Sequence, residues 1–181
     1  MNAIAHEQVL LYAPQAFQGL IISTKDIKHY DLSNKRVAII GTDQFSVRYL
    51  LALTETARQL YIFQTQPRLI LPHNSRIAST LVPHPRIARN RPLFSQSVKR
   101  VLALRFLERE VNDLWLRRLL TANAAAAQLH FLKSDSYYQA LQKANCQLIT
   151  WPIAQINTDE IITLHEQRYE IDVLIYANDE N

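Results

Sequence analysis

The segment from Lys35 to Ser46 constrains the fold of this chain more than any other. An apolar run ends at Gly41, and apolar residues at helical spacing begin a few positions later. This order predicts a buried strand that enters a helix through a tight turn, as in dinucleotide-binding folds. The fingerprint of such a turn is GxGxxG, of which only Gly41 is present, because Asp43 and Ser46 hold the other two positions.

A carboxylate at the second glycine position changes what this turn is able to bind. The middle glycine lets backbone approach a pyrophosphate, whereas Asp43 adds both bulk and negative charge there. Backbone N–H groups at the start of the helix still attract anions, so weak nucleotide binding stays open. The alternative, which we favour, is that Asp43 caps the helix. The candidate cofactor-binding residues of the turn are Gly41, Thr42, Asp43, Gln44, Phe45 and Ser46.

Apolar periodicity predicts a βαβ unit around this turn. A strand at 36–41, a helix at 46–59 and a strand at 60–63 follow one another within about thirty residues, the size of such a unit. Its crossover is expected to be right-handed. Gln64, Thr65 and Gln66 come directly after the second strand and are candidates to hydrogen-bond a ribose. The alternative, which we favour for these three, is that they are polar residues solvated at a strand end.

The rest of the chain alternates predicted strands and helices. Residues 15–34 are expected to form an irregular connection, and residues 66–93 hold most of the prolines, which disfavours long regular elements. A helix is predicted at 95–121, and residues 124–127 either extend it or form a second short helix. Another helix is predicted at 136–144, with Ser134 or Asp135 as its cap. The remaining predicted strands are 9–13, 130–132, 146–150, an antiparallel meander over 153–157, 161–164 and 168–171, and a buried return strand at 172–177.

Composition bounds the class of protein. A length of 181 residues predicts a single domain over 1–181, with a helical insertion at about 94–128 and the meander at about 152–171. Only two glycines occur, where average usage would give about a dozen, and this scarcity disfavours a complete cofactor enzyme. One cysteine, no apolar run long enough for a membrane span and no signal peptide predict a cytoplasmic protein.

Positive charge is concentrated in the middle of the chain. Between Arg76 and Arg118 there are ten Lys/Arg and three Asp/Glu residues, a net of +7, while the remainder carries ten and thirteen, a net of −3. Such a region could meet an acidic partner or nucleic acid. We expect a solvated helix face and no nucleic-acid binding, because no nucleic-acid motif accompanies the charge.

No catalytic or metal-ligating constellation is predicted. None of the six histidines forms a pair at helical ligand spacing, and no cysteine is near one. No G-x-S-x-G elbow supports a nucleophilic serine. Cys146 begins an apolar strand, which favours a core role over a nucleophile. We therefore assign no catalytic residue and no metal site.

Five segments follow one another along the chain in a characteristic order and spacing. They are Phe17-Gln18-Gly19, residues 35–42, residues 63–67, residues 136–141 and residues 172–177. Together they resemble the nicotinamide-binding domain of the flavin-containing and Baeyer–Villiger monooxygenases, and the similarity runs from about residue 9 to residue 177. The resemblance implies an α/β fold, a Rossmann-like parallel sheet flanked by helices, with a helical insertion and a small antiparallel meander.

The departures from the family pattern fall on its chemical positions. The histidine and tryptophan of the FxGxxxHxxxW signature are replaced by Ser23 and Ile27. At the position where the family has an arginine against the 2′-phosphate of NADPH, this chain has Thr65. Arg68 lies three residues further on and is a partial substitute. Further replacements of family residues are Leu129 and His130 in the Lys-Arg segment, and Asn178 and Asp179 in the closing Ala-Thr-Gly. The resemblance therefore implies at most weak NADP(H) binding, and no FAD binding by this chain alone.

Three functions follow as hypotheses, and whether the chain is an enzyme stays open. The first is a stand-alone, degenerate NADP(H)-binding-like domain without a complete active site, which acts as a binding or interaction module. The second is an NADPH-binding component of a flavin monooxygenase completed by a separate FAD-binding chain. The third and weakest is a basic module for an acidic partner. Its residues are Arg86, Arg89, Arg91, Lys99, Arg100, Arg105 and Arg109. The expected partners are a second copy of the chain or a separate flavoprotein.

Overall fold

The computed structural model describes residues 17–64, 68–74, 95–126 and 130–177. The chain divides into two compact units. The first runs to Thr65 and resumes at Lys143, and the second is Gln66–Gln142. The second unit contains the predicted insertion of about 94–128 and extends beyond it on both sides. The single domain over 1–181 stays a prediction.

The described elements are mostly short strands. The strands are β1 (Leu20–Ser23), β2 (Arg36–Ile40), β3 (Gln59–Phe63), β4 (Leu69–Leu71), β5 (Phe131–Lys133), β6 (Cys146–Ile149), β7 (Ile153–Ile156), β8 (Glu160–Thr163), β9 (Arg168–Glu170) and β10 (Val173–Tyr176). The α-helices are α1 (Gln44–Thr56), α2 (Gln96–Glu110), α3 (Leu114–Ala126) and α4 (Tyr137–Leu141), and a 3-10 helix spans Thr24–His29.

A five-stranded parallel sheet forms the centre of the first unit. Its order is β1-β10-β2-β3-β6, so the last of the described strands in sequence lies between β1 and β2. Its inner strands are apolar, as expected of parallel strands that are covered on both faces, and Val37, Ile39 and Leu174 have no exposed surface. The predicted α/β class with a parallel sheet is confirmed.

The antiparallel meander packs its inner side chains into the same core. β7, β8 and β9 pair antiparallel in that order, as predicted, with a register shift between Ile153 and Gln155. Ile161 is fully buried. The ring of Tyr169 meets Phe63 edge-on, with ring centroids 5.5 Å apart. The meander thus buries its apolar side chains in one cluster with the sheet.

In the second unit, the long predicted helix over 95–121 is wrong. The structure has two helices there, because α2 ends at Glu110 and Val111 has an extended backbone. Asp113 then starts α3, since its Oδ1 accepts a hydrogen bond from the Leu116 N–H at 2.5 Å. Arg117 closes the break by donating its Nε to the Val111 carbonyl at 2.9 Å. A local cap therefore overrides the continuous apolar stripe.

Two further sequence predictions need correction. The predicted irregular connection over 15–34 is wrong for its described part, residues 17–34. There Leu20–Ser23 pairs in register with Val173–Tyr176, and the 3-10 helix follows. The helix at 136–144 is shorter than predicted, spanning Tyr137–Leu141. Ser134 satisfies its first turn by accepting from the Tyr137 N–H at 3.1 Å. Asp135 instead accepts from the backbone of residues 73 and 74. The predicted strand at 9–13 lies outside the described residues.

Candidate nucleotide-binding turn

Gly41 keeps the backbone geometry that the turn after β2 requires. Its φ is +90°, a conformation that L side chains rarely adopt. A Cβ at this position would lie 3.1 Å from the Cβ of Ala177, and the Gly41 N–H donates to the Phe63 carbonyl at 2.8 Å. The one glycine that survives from the fingerprint is therefore the one that the backbone needs.

Asp43 is the N-cap of α1, which confirms the favoured prediction for this residue. Its Oδ1 accepts from the Ser46 N–H at 2.6 Å, and its own N–H donates to Ser46 Oγ at 2.9 Å. Together these bonds form a capping box. The residues at the second and third glycine positions of the fingerprint, Asp43 and Ser46, thus satisfy each other's backbone N–H groups with their side-chain oxygens.

The second oxygen of the Asp43 carboxylate has a donor from another part of the first unit. The Thr24 hydroxyl, at the start of the 3-10 helix, donates to Asp43 Oδ2 at 2.5 Å. Thr24 is fully buried, and Asp43 is only 6% exposed. Thr24 was not among the predicted site residues, because nothing in the spacing of residues 24 and 43 signals their contact.

This arrangement places a negative charge where a nucleotide-binding turn would receive a phosphate. The N-terminus of a helix carries a partial positive charge and unpaired N–H donors, which favour an anion. Here the Asp43 carboxylate takes the Ser46 N–H and lies buried beside the helix start. An external phosphate at the same position would meet a like charge and compete for the same donor.

The other candidate cofactor-binding residues are divided between surface and interior. Gln44 and Phe45 are exposed on the first turn of α1, and Thr42 is buried. Gln64 is buried, and its backbone N–H donates to the Ile149 carbonyl at 2.9 Å. The structure therefore brings residues 41–46 together at the start of α1.

Some predicted positions cannot be placed in this site. Thr65 and Gln66, together with Leu129, Asn178 and Asp179, lie outside the described residues. Arg68 is partly buried just before β4 in the second unit, and His130 is exposed just before β5.

Cys146 has the environment of a core residue. It begins β6 and is buried, and burial raises the pKa of its thiol to about 12. A thiol with so high a pKa holds almost no thiolate near neutral pH, and the thiolate is the reactive form. The prediction of a core role is therefore supported by both burial and pKa.

The described ranges contain neither a candidate metal site nor a membrane-spanning helix. Among those residues no group of three or more His, Cys, Asp or Glu side chains is placed to hold a metal ion. No helix of the described ranges is long and apolar enough to cross a membrane. Of the predicted basic patch, Arg86, Arg89 and Arg91 lie outside the described residues, and the other four lie on α2.

The chain as a whole is similar to one group of enzymes. No protein-family model matches the chain. A Baeyer-Villiger monooxygenase of Pseudomonas aeruginosa is 28% identical over 186 residues, which cover 89% of this chain and 35% of that protein. The FAD-binding monooxygenase ktnD of Aspergillus niger is 27% identical, over 80% of this chain and 28% of that protein.

Solved structures give the same result for the fold. An oxidized steroid monooxygenase bound to NADP superposes with a TM-score of 0.69 at 18% identity, covering 91% of this chain and 42% of that one. A cyclohexanone monooxygenase superposes with a TM-score of 0.71 at 16% identity, covering 92% of this chain and 44% of that one. The chain is therefore a relative of the Baeyer–Villiger monooxygenases, similar to them over less than half of their length and sharing their Rossmann-like α/β fold.

Proposed function

We propose that the chain is a degenerate NADP(H)-binding-like domain, with no complete active site of its own, that acts as a binding or interaction module. The observation that carries this proposal is the Asp43 carboxylate, which is buried at the start of α1 with both oxygens hydrogen-bonded. In Rossmann folds the pyrophosphate of a dinucleotide lies at this helix start. A nucleotide would have to displace the chain's own anion from it.

Displacing the Asp43 carboxylate is expected to cost a nucleotide a substantial part of its binding free energy. Hydrogen bonds to charged groups contribute about 1.5–3 kcal/mol each, and Asp43 would lose those from Thr24 and Ser46. Losing the equivalent of one such bond weakens binding by roughly tenfold to a hundredfold. We therefore expect NADP(H) to bind this chain weakly at best, and FAD not to bind it alone.

A calorimetric titration of the purified chain with NADPH, with and without FAD, tests this proposal. We expect no saturable heat at millimolar NADPH, while circular dichroism verifies that the chain is folded. Saturable binding with a Kd below about 100 μM, or roughly −5.5 kcal/mol, would overturn it. Such binding would show that the turn accepts a pyrophosphate in spite of Asp43.

The alternative proposal is an NADPH-binding component that a separate FAD-binding chain completes. Exposed apolar side chains of the first unit favour it, since Trp151 is 54% and Leu164 62% exposed. The Leu164 N–H donates to the Pro152 carbonyl, so the two side chains lie on neighbouring backbone, and a contiguous exposed apolar patch marks an interaction site. Mixing the chain with a flavoprotein encoded beside it should then give a complex that oxidises NADPH. If the two chains elute separately and NADPH is not consumed, this alternative fails. Self-association is the competing result, and sedimentation velocity of the chain alone detects it.

Binding of an acidic partner by the basic residues of α2 is the weakest proposal. Part of that charge already has internal contacts, because Lys99 Nζ lies 5.9 Å from the ring centroid of Phe131 and Arg109 Nε lies 3.4 Å from Glu110 Oε1. Affinity that falls steeply with salt concentration would support this role, and salt-independent binding would contradict it.

The proposed location of the chain is the cytoplasm.

A further inference from the structure

We draw no further inference here: the strongest candidate, the exposed apolar patch of Trp151 and Leu164 beside the antiparallel meander, carries none because nothing in the described part of the chain shows what covers it.

Discussion

Asp43 is held by one donor from its own helix and one from the segment that follows β1. The Ser46 N–H binds Oδ1, and the Thr24 hydroxyl binds Oδ2. A capping aspartate on a helix surface needs only the first of these bonds. The second bond makes the carboxylate a link between two elements, so its substitution is expected to affect both stability and anion binding.

Replacing Asp43 with glycine should increase NADPH affinity. Asp43→Gly removes the charge and bulk from the start of α1, and a glycine N-cap costs little helix stability. We expect a gain of about tenfold or more, equivalent to about 1.4 kcal/mol, which calorimetry detects as a saturable heat that the wild type does not give at millimolar NADPH. Asp43→Asn is the matched control, because it keeps the size of the side chain and removes its charge. Unchanged affinity in both folded variants would contradict the placement of the pyrophosphate at this turn.

Removing the Thr24 hydroxyl should destabilise the first unit. Thr24→Val keeps the volume of the side chain but leaves a buried carboxylate oxygen without this donor. Loss of a bond to a buried charged group should lower the free energy of unfolding by about 1–3 kcal/mol, as measured by urea denaturation. Thr24→Ser restores the hydroxyl and should recover most of that stability. Equal stability of the valine variant and the wild type would show that the bond contributes nothing.

At the scale of elements, an ion pair joins the starts of two adjacent strands. Arg36 begins β2 and Asp172 directly precedes β10. The Arg36 N–H donates to Asp172 Oδ2 at 2.8 Å, and its guanidinium donates to Oδ1 at 2.6 Å. Glu170 also accepts from the guanidinium. The hydrogen bonds from Arg36 hold the pKa of Asp172 below its ordinary value of 3.8, and the bond from the guanidinium side chain has the largest effect.

This pair should make the stability of the chain sensitive to acid. A carboxyl whose pKa is lower in the folded state contributes stability that is present above pH 3.8 and is lost as the pH falls through the folded pKa. We therefore expect Asp172→Asn to lower the free energy of unfolding at neutral pH and to flatten its fall below about pH 4. Glu55→Gln, an exposed position on α1, is the control. Parallel pH profiles for wild type and Asp172→Asn would contradict this role.

The elements that the sequence predicted well are those with a strong local pattern. The apolar runs of β2, β3 and β10 identified buried parallel strands, and Asp43 identified the cap of α1. The elements missed depend on distant residues or compete with a stronger pattern. β1 has four residues and is defined by its pairing with β10. The end of α2 was hidden by the apolar stripe that continues into α3.

The candidate site was predicted only as far as local sequence reaches. Gly41 and the capping role of Asp43 follow from the turn itself, because the residues concerned are neighbours in sequence. The contact of Thr24 with Asp43 spans nineteen positions and depends on how the 3-10 helix lies against α1. No spacing rule encodes such a contact. Only the structure therefore reveals that each oxygen of the Asp43 carboxylate accepts a hydrogen bond.

At the scale of the whole molecule, the first unit should fold without the second. The apolar cluster shared by its sheet and meander contains only residues from outside Gln66–Gln142. A variant in which a Gly/Ser linker replaces residues 66–142 should therefore unfold cooperatively. The linker needs about a dozen residues or more, because β3 and β6 are parallel and the chain must return across the sheet.

Thermal unfolding followed by circular dichroism checks this deletion variant. We expect the folded variant to give a far-ultraviolet spectrum of mixed helix and sheet, and this signal to be lost in a sigmoidal transition on heating. As a control, the separate segment Gln66–Gln142 is measured in the same way, since it has its own apolar cluster on β4 and α2. A gradual, non-cooperative transition of the deletion variant would show that the second unit is needed for the first to fold.

The position of β10 between β1 and β2 has a consequence for how the chain emerges from the ribosome. β1 and β2 are synthesised before β10, yet they do not pair with each other. β10 lies between them and pairs with the facing edge of each. Until residues 173–176 are synthesised and released, those two edges have no native partner. A nascent or prematurely terminated chain therefore exposes apolar strand edges, so it should depend on chaperones and be prone to aggregation during translation.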